Sequence, residues 1–256
     1  MEKINIRGIP FDNVTKEEAT ALIIKRLEDG VRTVVVTPNS EIVQSCIEDE
    51  EMMRIVTSAD VILPDGIGVI KAAKILETPL KEKVPGVEIG EALFKELAAT
   101  EHTFFILGGK PEDGTAPSVA SEAAEKMAEK YGCKFAGHHH GYFMAEDGSS
   151  ERVISEINSS GADVLFVCLG SPAQERWIAE NADRLDHVRL AMALGGSVDI
   201  YAERVHRAPE IFIKTGLEWL WRLIRQPWRI GRMMKLPKFY LGMKKYKKNK
   251  DKQGAF

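Results

Sequence analysis

Cysteine is scarce in this 256-residue chain: Cys46, Cys133 and Cys168 are widely spaced and odd in number. No Cys-x-x-Cys pair or metal-ligand spacing occurs. That argues against a disulfide scaffold or a structural zinc site and fits a reducing compartment. Cys168 lies in an apolar run and reads as a small core residue. Long apolar runs are missing too. Nothing approaches the ~18 residues of a membrane span, so the chain is not expected to cross a bilayer. The opening MEKINIRGIPFDNV has no apolar centre, so no secretory signal is expected. No Gly-x-Gly-x-x-Gly follows the first strand and no Gly-x-x-x-x-Gly-Lys-Ser/Thr appears, which disfavours dinucleotide and P-loop readings. There is also no Asp-x-Asp, the cation-holding pair of many sugar-nucleotide transferases.

What is present suits one large α/β domain with an appendage. Hydrophobic content is 44% and charged content 29%, enough for a sizeable core without covalent staples. The net charge of −3 hides an asymmetry. From Lys214 onward there are 13 Lys and Arg against Glu218 and Asp251, a net +11, while the rest carries −14. An acidic body with a basic tail points to an anionic partner for the tail. The expected boundaries are a catalytic domain over 1–210 and a tail over 211–256.

Strands alternate with helices through the body. Ile4 to Phe11 reads as a hairpin or edge strand, and Thr15-Lys16-Glu17-Glu18 as a capping box. Thr33–Val36, Asp60–Leu63, Thr103–Leu107, Cys133–Ala136, Asp163–Leu169 and Arg189–Leu194 read as strands. Glu41–Glu50 reads as one helix, Lys83–Glu88 as a loop and Gly137–Phe143 as another loop. The pattern predicts a Rossmann-like α/β fold, mostly parallel, with helices on both faces, plus a basic amphipathic C-terminal helical appendage.

The strand ends share a chemistry. Thr37-Pro38-Asn39-Ser40, Pro64-Asp65-Gly66-Ile67-Gly68, Leu107-Gly108-Gly109, Leu169-Gly170-Ser171-Pro172 and Leu194-Gly195-Gly196-Ser197-Val198-Asp199 all follow apolar runs. In a parallel sheet they share one rim, where open α/β folds bind ligands. Glycine there lets backbone amides approach a phosphate, so a nucleotide or sugar-phosphate pocket is expected. Asp65 carries two readings: N-cap of the next helix, or an acid placed for chemistry. His138-His139-His140 reads as a solvated or ligand-rim loop, since consecutive side chains diverge and no acid or cysteine completes a metal set.

In the tail, Leu217, Leu220, Trp221, Ile224 and Trp228 share a helical face, and Arg222, Arg225, Arg229 and Arg232 form a second stripe. Met233, Met234, Phe239, Tyr240 and a lysine run follow. Aromatic and aliphatic residues among cations suit an anionic membrane surface, with packing on the body as the competing use. Nucleic acid is disfavoured by the acidic body and the lack of a recognisable module.

Together TPNSEIV, LPDGIGV, VPGVEI, LGGK, GYF, LGSPAQERW, GGSVDI, RAPE and GLEWLWRLIRQPWR resemble the WecG/TagA/CpsF glycosyltransferases in order and spacing, from about residue 5 to 232. The resemblance implies an inverting bacterial enzyme that uses no metal or other cofactor. It would move an N-acetylmannosamine-type sugar from a UDP-sugar donor to polyprenyl-diphosphate-linked GlcNAc, as in the teichoic acid linkage unit. It places the protein in the cytoplasm, peripheral at the inner membrane face, and leaves homo-oligomers open. Asp65 aligns with the family's proposed catalytic base. Thr37, Asn39, Gly66, Gln174 and Asp199 align with pocket residues. Gly108, Gly109, Gly195 and Gly196 would let backbone approach the uridine and diphosphate, and Arg222 and Arg225 would offset the leaving charge. Lys83 stands where the family commonly has Arg, and Glu88 where Asp is common; both bear on donor choice. The alternatives are a family member using a uronate or capsular donor and a membrane-peripheral sugar-nucleotide sensor.

Overall fold

The computed structural model describes residues 2–143, 149–215, 217–225, 227, 231 and 235–253. Six strands form one parallel sheet: β3 (Thr33–Val36), β4 (Val61–Ile62), β5 (Thr103–Gly108), β6 (Lys134–His139), β7 (Val164–Cys168) and β8 (Leu190–Ala193). Their order is β4-β3-β8-β7-β5-β6. Each neighbouring pair is parallel, as in Val35 opposite Met192 and Leu165 opposite Ala191. The β3, β5 and β7 runs are rich in β-branched and aromatic residues, and β7 and β8 are buried throughout, as strands covered on both faces must be.

Two apolar layers enclose the sheet. One is built from α1 (Lys16–Glu28), α5 (Gly86–Glu96), α6 (Val119–Tyr131) and α9 (Ser197–Tyr201). Phe94, Phe104 and Phe166 meet there with centroids about 5 Å apart. The other takes α2 (Ser40–Glu48), α3 (Glu50–Thr57), α4 (Ile67–Ile75), α7 (Ser149–Ser160) and α8 (Ala173–Asn181). It also takes the antiparallel hairpin of β1 (Lys3–Ile6) and β2 (Ile9–Asp12), which is separate from the main sheet. Asp12 docks the hairpin: it is 3% exposed and accepts from Ile62 N at 2.8 Å, satisfying an N–H on edge strand β4.

Several boundaries differ from the sequence reading, each for a local reason. The predicted helix over 41–50 is α2, and a second helix the sequence reading did not draw, α3, follows at once: Asp49 ends α2 and caps α3, accepting from Glu51 N and Met52 N at 3.0 and 3.2 Å. Helix α5 begins at Gly86, so Glu88 sits in its first turn and not in a loop. Strand β6 extends to His139, placing His138 and His139 opposite Ile106 and Leu107 of β5. The capping box at Thr15 forms as expected.

Beyond the body lie α10 (Glu210–Lys214), α11 (Glu218–Arg225) and α12 (Lys235–Gln253). Helix α12 packs on α2 and α4, with Phe239 and Met243 each 1% exposed inside the apolar layer that α2 and α4 share. Its cations pair with the body at Lys238–Glu48, Lys247–Glu77 and Lys235–Ser45. No helix among the described residues is long and apolar enough to cross a membrane. Trp228, Arg229, Arg232, Met233 and Met234 lie outside the described residues.

Candidate active site

Because the six strands are parallel, the five polar turns open on one edge. Adjacent strands there send their following helices to opposite faces: α2 after β3, α9 after β8, α8 after β7 and α6 after β5. Such divergence opens a crevice at the carboxyl ends of the strands.

Asp65 sits on the turn after β4, half-buried. Its N–H donates to Pro38 O at 3.3 Å, and Val84 N donates to Pro64 O at 2.9 Å. The turn is thereby fastened to the loop after β3 on one side and to the segment bearing Lys83 on the other. The N-cap position of α4 falls on Gly66, at φ 86° and ψ 149°, and not on Asp65. That backbone conformation suits glycine, and a Cβ there would lie 3.7 Å from Asn39 Cβ. Two positions on, a Cβ at Gly68 would come within 2.6 Å of Ser40 Oγ and 3.7 Å of Tyr240 Oη. Helices α2, α4 and α12 therefore converge just behind Asp65.

Asn39 caps α2, its Oδ1 accepting from Glu41 N and Ile42 N at 2.9 and 3.1 Å. Thr37 reaches Ala193 O at 3.5 Å, and a Cβ on Gly86 would lie 2.9 Å from its Oγ1 and 3.1 Å from Leu194 Cδ2. The Gln174 Oε1 accepts from Gly170 N at 3.2 Å and Gly195 N at 2.8 Å. A Cβ on Gly196 would stand 3.9 Å from Asp199 Oδ2. Asp65, Gly66, Asn39, Thr37, Gly195, Gly196, Gln174 and Asp199 thus line one continuous stretch of the rim, over β4, β3, β8 and β7.

Gly108 and Gly109 lie one strand further along, and their own chain accounts for them. At φ 146° a Cβ on Gly108 would fall 2.4 Å from Cys168 O, and at φ 74° one on Gly109 would fall 2.7 Å from Val119 Cβ. Close packing of β5 on β7 and α6 requires both glycines whether or not a ligand is present.

Lys83 is partnered. Its Nζ pairs with Glu218 of α11, and Arg207 lies between Glu88 and Glu218, with Lys16 closing on Glu88 at 3.1 Å. Burial would raise Glu88, yet hydrogen bonds from Arg207 and Lys16 outweigh it and hold the carboxyl below its usual range. This alternating chain of charges ties α11 to the body next to the Asp65 turn. Arg225 stacks over Trp221 of its own helix at 5.3 Å and meets no described rim residue. The side chain of Arg222 lies outside what the structure describes.

Glu175 escaped the sequence reading. It is 3% exposed and accepts from Gln174 Nε2 at 2.9 Å. Adjacent polar residues at a helix start look like surface, so only the folded packing reveals it. The three thiols are buried, and burial raises Cys46 and Cys168 to about 12 and Cys133 to about 11, which removes them as nucleophiles at neutral pH. No group of three or more His, Cys, Asp or Glu able to hold a metal occurs among the described residues.

Comparison with known proteins bears on this rim. The sequence matches the glycosyl transferase WecG/TagA/CpsF family over residues 4–253. It is 31% identical over 250 residues to proteins of Staphylococcus aureus strains MRSA252, MW2 and NCTC 8325, covering 96% of this chain and 94% of each relative. Those relatives are named N-acetylglucosaminyldiphosphoundecaprenol N-acetyl-beta-D-mannosaminyltransferase.

Proposed function

Since this chain belongs to the WecG/TagA/CpsF family of glycosyl transferases, we propose that it transfers N-acetylmannosamine from UDP-ManNAc to the 4-hydroxyl of GlcNAc-diphospho-undecaprenol. The supporting observation is the rim built around Asp65, in a chain similar along nearly its whole length to relatives bearing that name.

Asp65 is the base in this reading. It takes the proton of the 4-hydroxyl as that oxygen bonds to the anomeric carbon. The bond from the anomeric carbon to the diphosphate oxygen breaks, and UDP leaves with the electron pair. Attack opposite the leaving group inverts the anomeric centre. Thr37, Asn39 and Asp199 orient the sugars, and the glycine turns after β5 and β8 admit the nucleotide. The reaction proceeds without metal, in keeping with the absence of Asp-x-Asp, so Arg222 and Arg225 supply the charge that stabilises departing UDP.

The tail brings the enzyme to its lipid substrate as a peripheral protein at the inner membrane face. Ile211, Leu217, Trp219, Ile224, Leu241 and Tyr246 are exposed among its cations, the pattern of an interfacial segment. The neutral donor is favoured over a uronate because Lys83, the cation a uronate would call on, is already paired with Glu218.

The test is a donor panel with a defined GlcNAc-diphospho-lipid acceptor. Release of UDP and formation of the ManNAc-GlcNAc lipid from UDP-ManNAc are expected. Faster turnover of the uronate donor, or UDP binding without transfer from any donor, would overturn the reading.

A further inference from the structure

Two consecutive polar side chains are buried at the crevice between β7 and β8. Gln174 and Glu175 are 4% and 3% exposed and lie in the first turn of α8. The Gln174 carbonyl accepts N–H groups from Gly170 and Gly195, one from each bounding loop. Its amide nitrogen donates to Glu175 Oε1. One side chain therefore stitches the two loops together. Which way round the amide sits is decided by its neighbours. The glycine N–H groups require an oxygen, and the carboxyl of Glu175 requires an N–H, so both demands select one orientation. Without an acceptor at 175 the amide nitrogen loses its partner and that selection weakens.

Glu175 is a poor residue for stability at this place. Its Oε2 meets no partner in good hydrogen-bond geometry among the described residues. Burial pushes its carboxyl above the usual range, against hydrogen bonds from Gln174, its own backbone N–H and Ser171 that lower it. A buried unmatched polar atom is destabilising, and where one persists it calls for an explanation beyond packing.

We infer that Glu175 is a positioning residue for sugar transfer: it fixes the Gln174 amide, which holds the β7 and β8 loops at the spacing the donor requires. The inference rests on the transfer reaction proposed above. In this role Glu175 acts through Gln174.

The full-length chain is assayed with UDP-ManNAc and a GlcNAc-diphospho-lipid analogue, with UDP affinity and Tm measured in parallel. Glu175→Gln keeps an acceptor oxygen for Gln174 and should stay within about threefold of wild-type kcat/KM. Glu175→Met removes the acceptor at similar volume. It should lower kcat/KM for the donor about tenfold or more, leave the acceptor KM unchanged, and leave Tm equal or raised. Gln174→Met should show the same donor defect, and the double variant should be no worse than either single one, as for residues acting as a unit. Wild-type kinetics in Glu175→Met, a loss equal in Glu175→Gln, or additive losses in the double variant would each overturn the inference. If Glu175→Met fails to fold, Gln174→Met decides: full donor kcat/KM there leaves the brace without a role. A wild-type enzyme inactive on this substrate pair would sink the proposed reaction and not the brace, which is then read from UDP affinity, expected about tenfold weaker in Gln174→Met and near wild type in Glu175→Gln.

Discussion

Asp65 shows how little separates a structural acid from a chemical one. Asp is a favoured N-cap, and the residue stands at a helix start. Yet the cap position belongs to Gly66, one residue on. Asp65→Asn keeps the shape and removes the base. Transfer should fall at least about a hundredfold, in the range general-base catalysis contributes, with UDP affinity and Tm near wild type. Near-normal turnover would end the assignment. Gly108 makes the opposite case, a rim glycine whose necessity is internal. Gly108→Ala forces a Cβ to within 2.4 Å of Cys168 O at a φ of 146°. The expected outcome is a loss of about 3 kcal/mol or more in urea unfolding, or an insoluble product.

At the scale of elements, the ionic chain Lys16–Glu88–Arg207–Glu218–Lys83 joins α1, α5 and α11. Glu88 titrates lower in the folded protein than its ordinary 4.5. Its contribution to stability is therefore present above that value and is lost as pH falls through the lower folded value. Glu88→Gln should lower Tm at pH 7 and flatten the decline of Tm below about pH 4.5; an unchanged slope would show that Glu88 is not a source of acid lability. The same elements mark what the sequence revealed. Strands β3, β5 and β7 stood out because β-branched and aromatic runs ended in Gly or Pro, and β8 because the apolar run Leu190–Leu194 ended in Gly-Gly. Helix α3 was missed, since the acid cluster Glu48-Asp49-Glu50-Glu51 read as the end of one helix and hid the cap that starts the next. Glu88 and Lys83 were visible as departures from a family pattern, but their shared partner Arg207 was not, because 119 residues separate Glu88 from Arg207. Gln174 was legible as a rim residue; that its oxygen is held by Gly170 and Gly195 was not.

At the scale of the whole molecule, the basic tail is not uniform. Helix α11 keeps Trp219 and Ile224 exposed, as is Leu217 just before it, and meets the body through Glu218, whereas α12 buries Phe239 and Met243 in the layer that covers one face of the sheet. Removing everything after Leu217 would therefore take away core as well as tail. Phe239→Ala should cost about 3–5 kcal/mol, as for a fully buried aromatic, measured by chemical denaturation. Leu241→Ser, at a position 70% exposed, should leave stability within about 0.5 kcal/mol and weaken binding to vesicles containing anionic lipid. Equal effects of the two changes on Tm would contradict the division between a packed and an exposed side of α12.

The strand order carries a consequence for how the chain is made. Strand β8 is the last of the six to leave the ribosome, and it lies between β3 and β7. Until residues 190–193 emerge, β3 and β7 each present an unpaired strand edge, and no strand of the β3–β4 pair can bond to one of the β5–β6–β7 group. A chain ending before Leu190 is therefore expected to expose two strand edges open to pairing with other chains. Completion of the sheet therefore waits on the final quarter of the polypeptide.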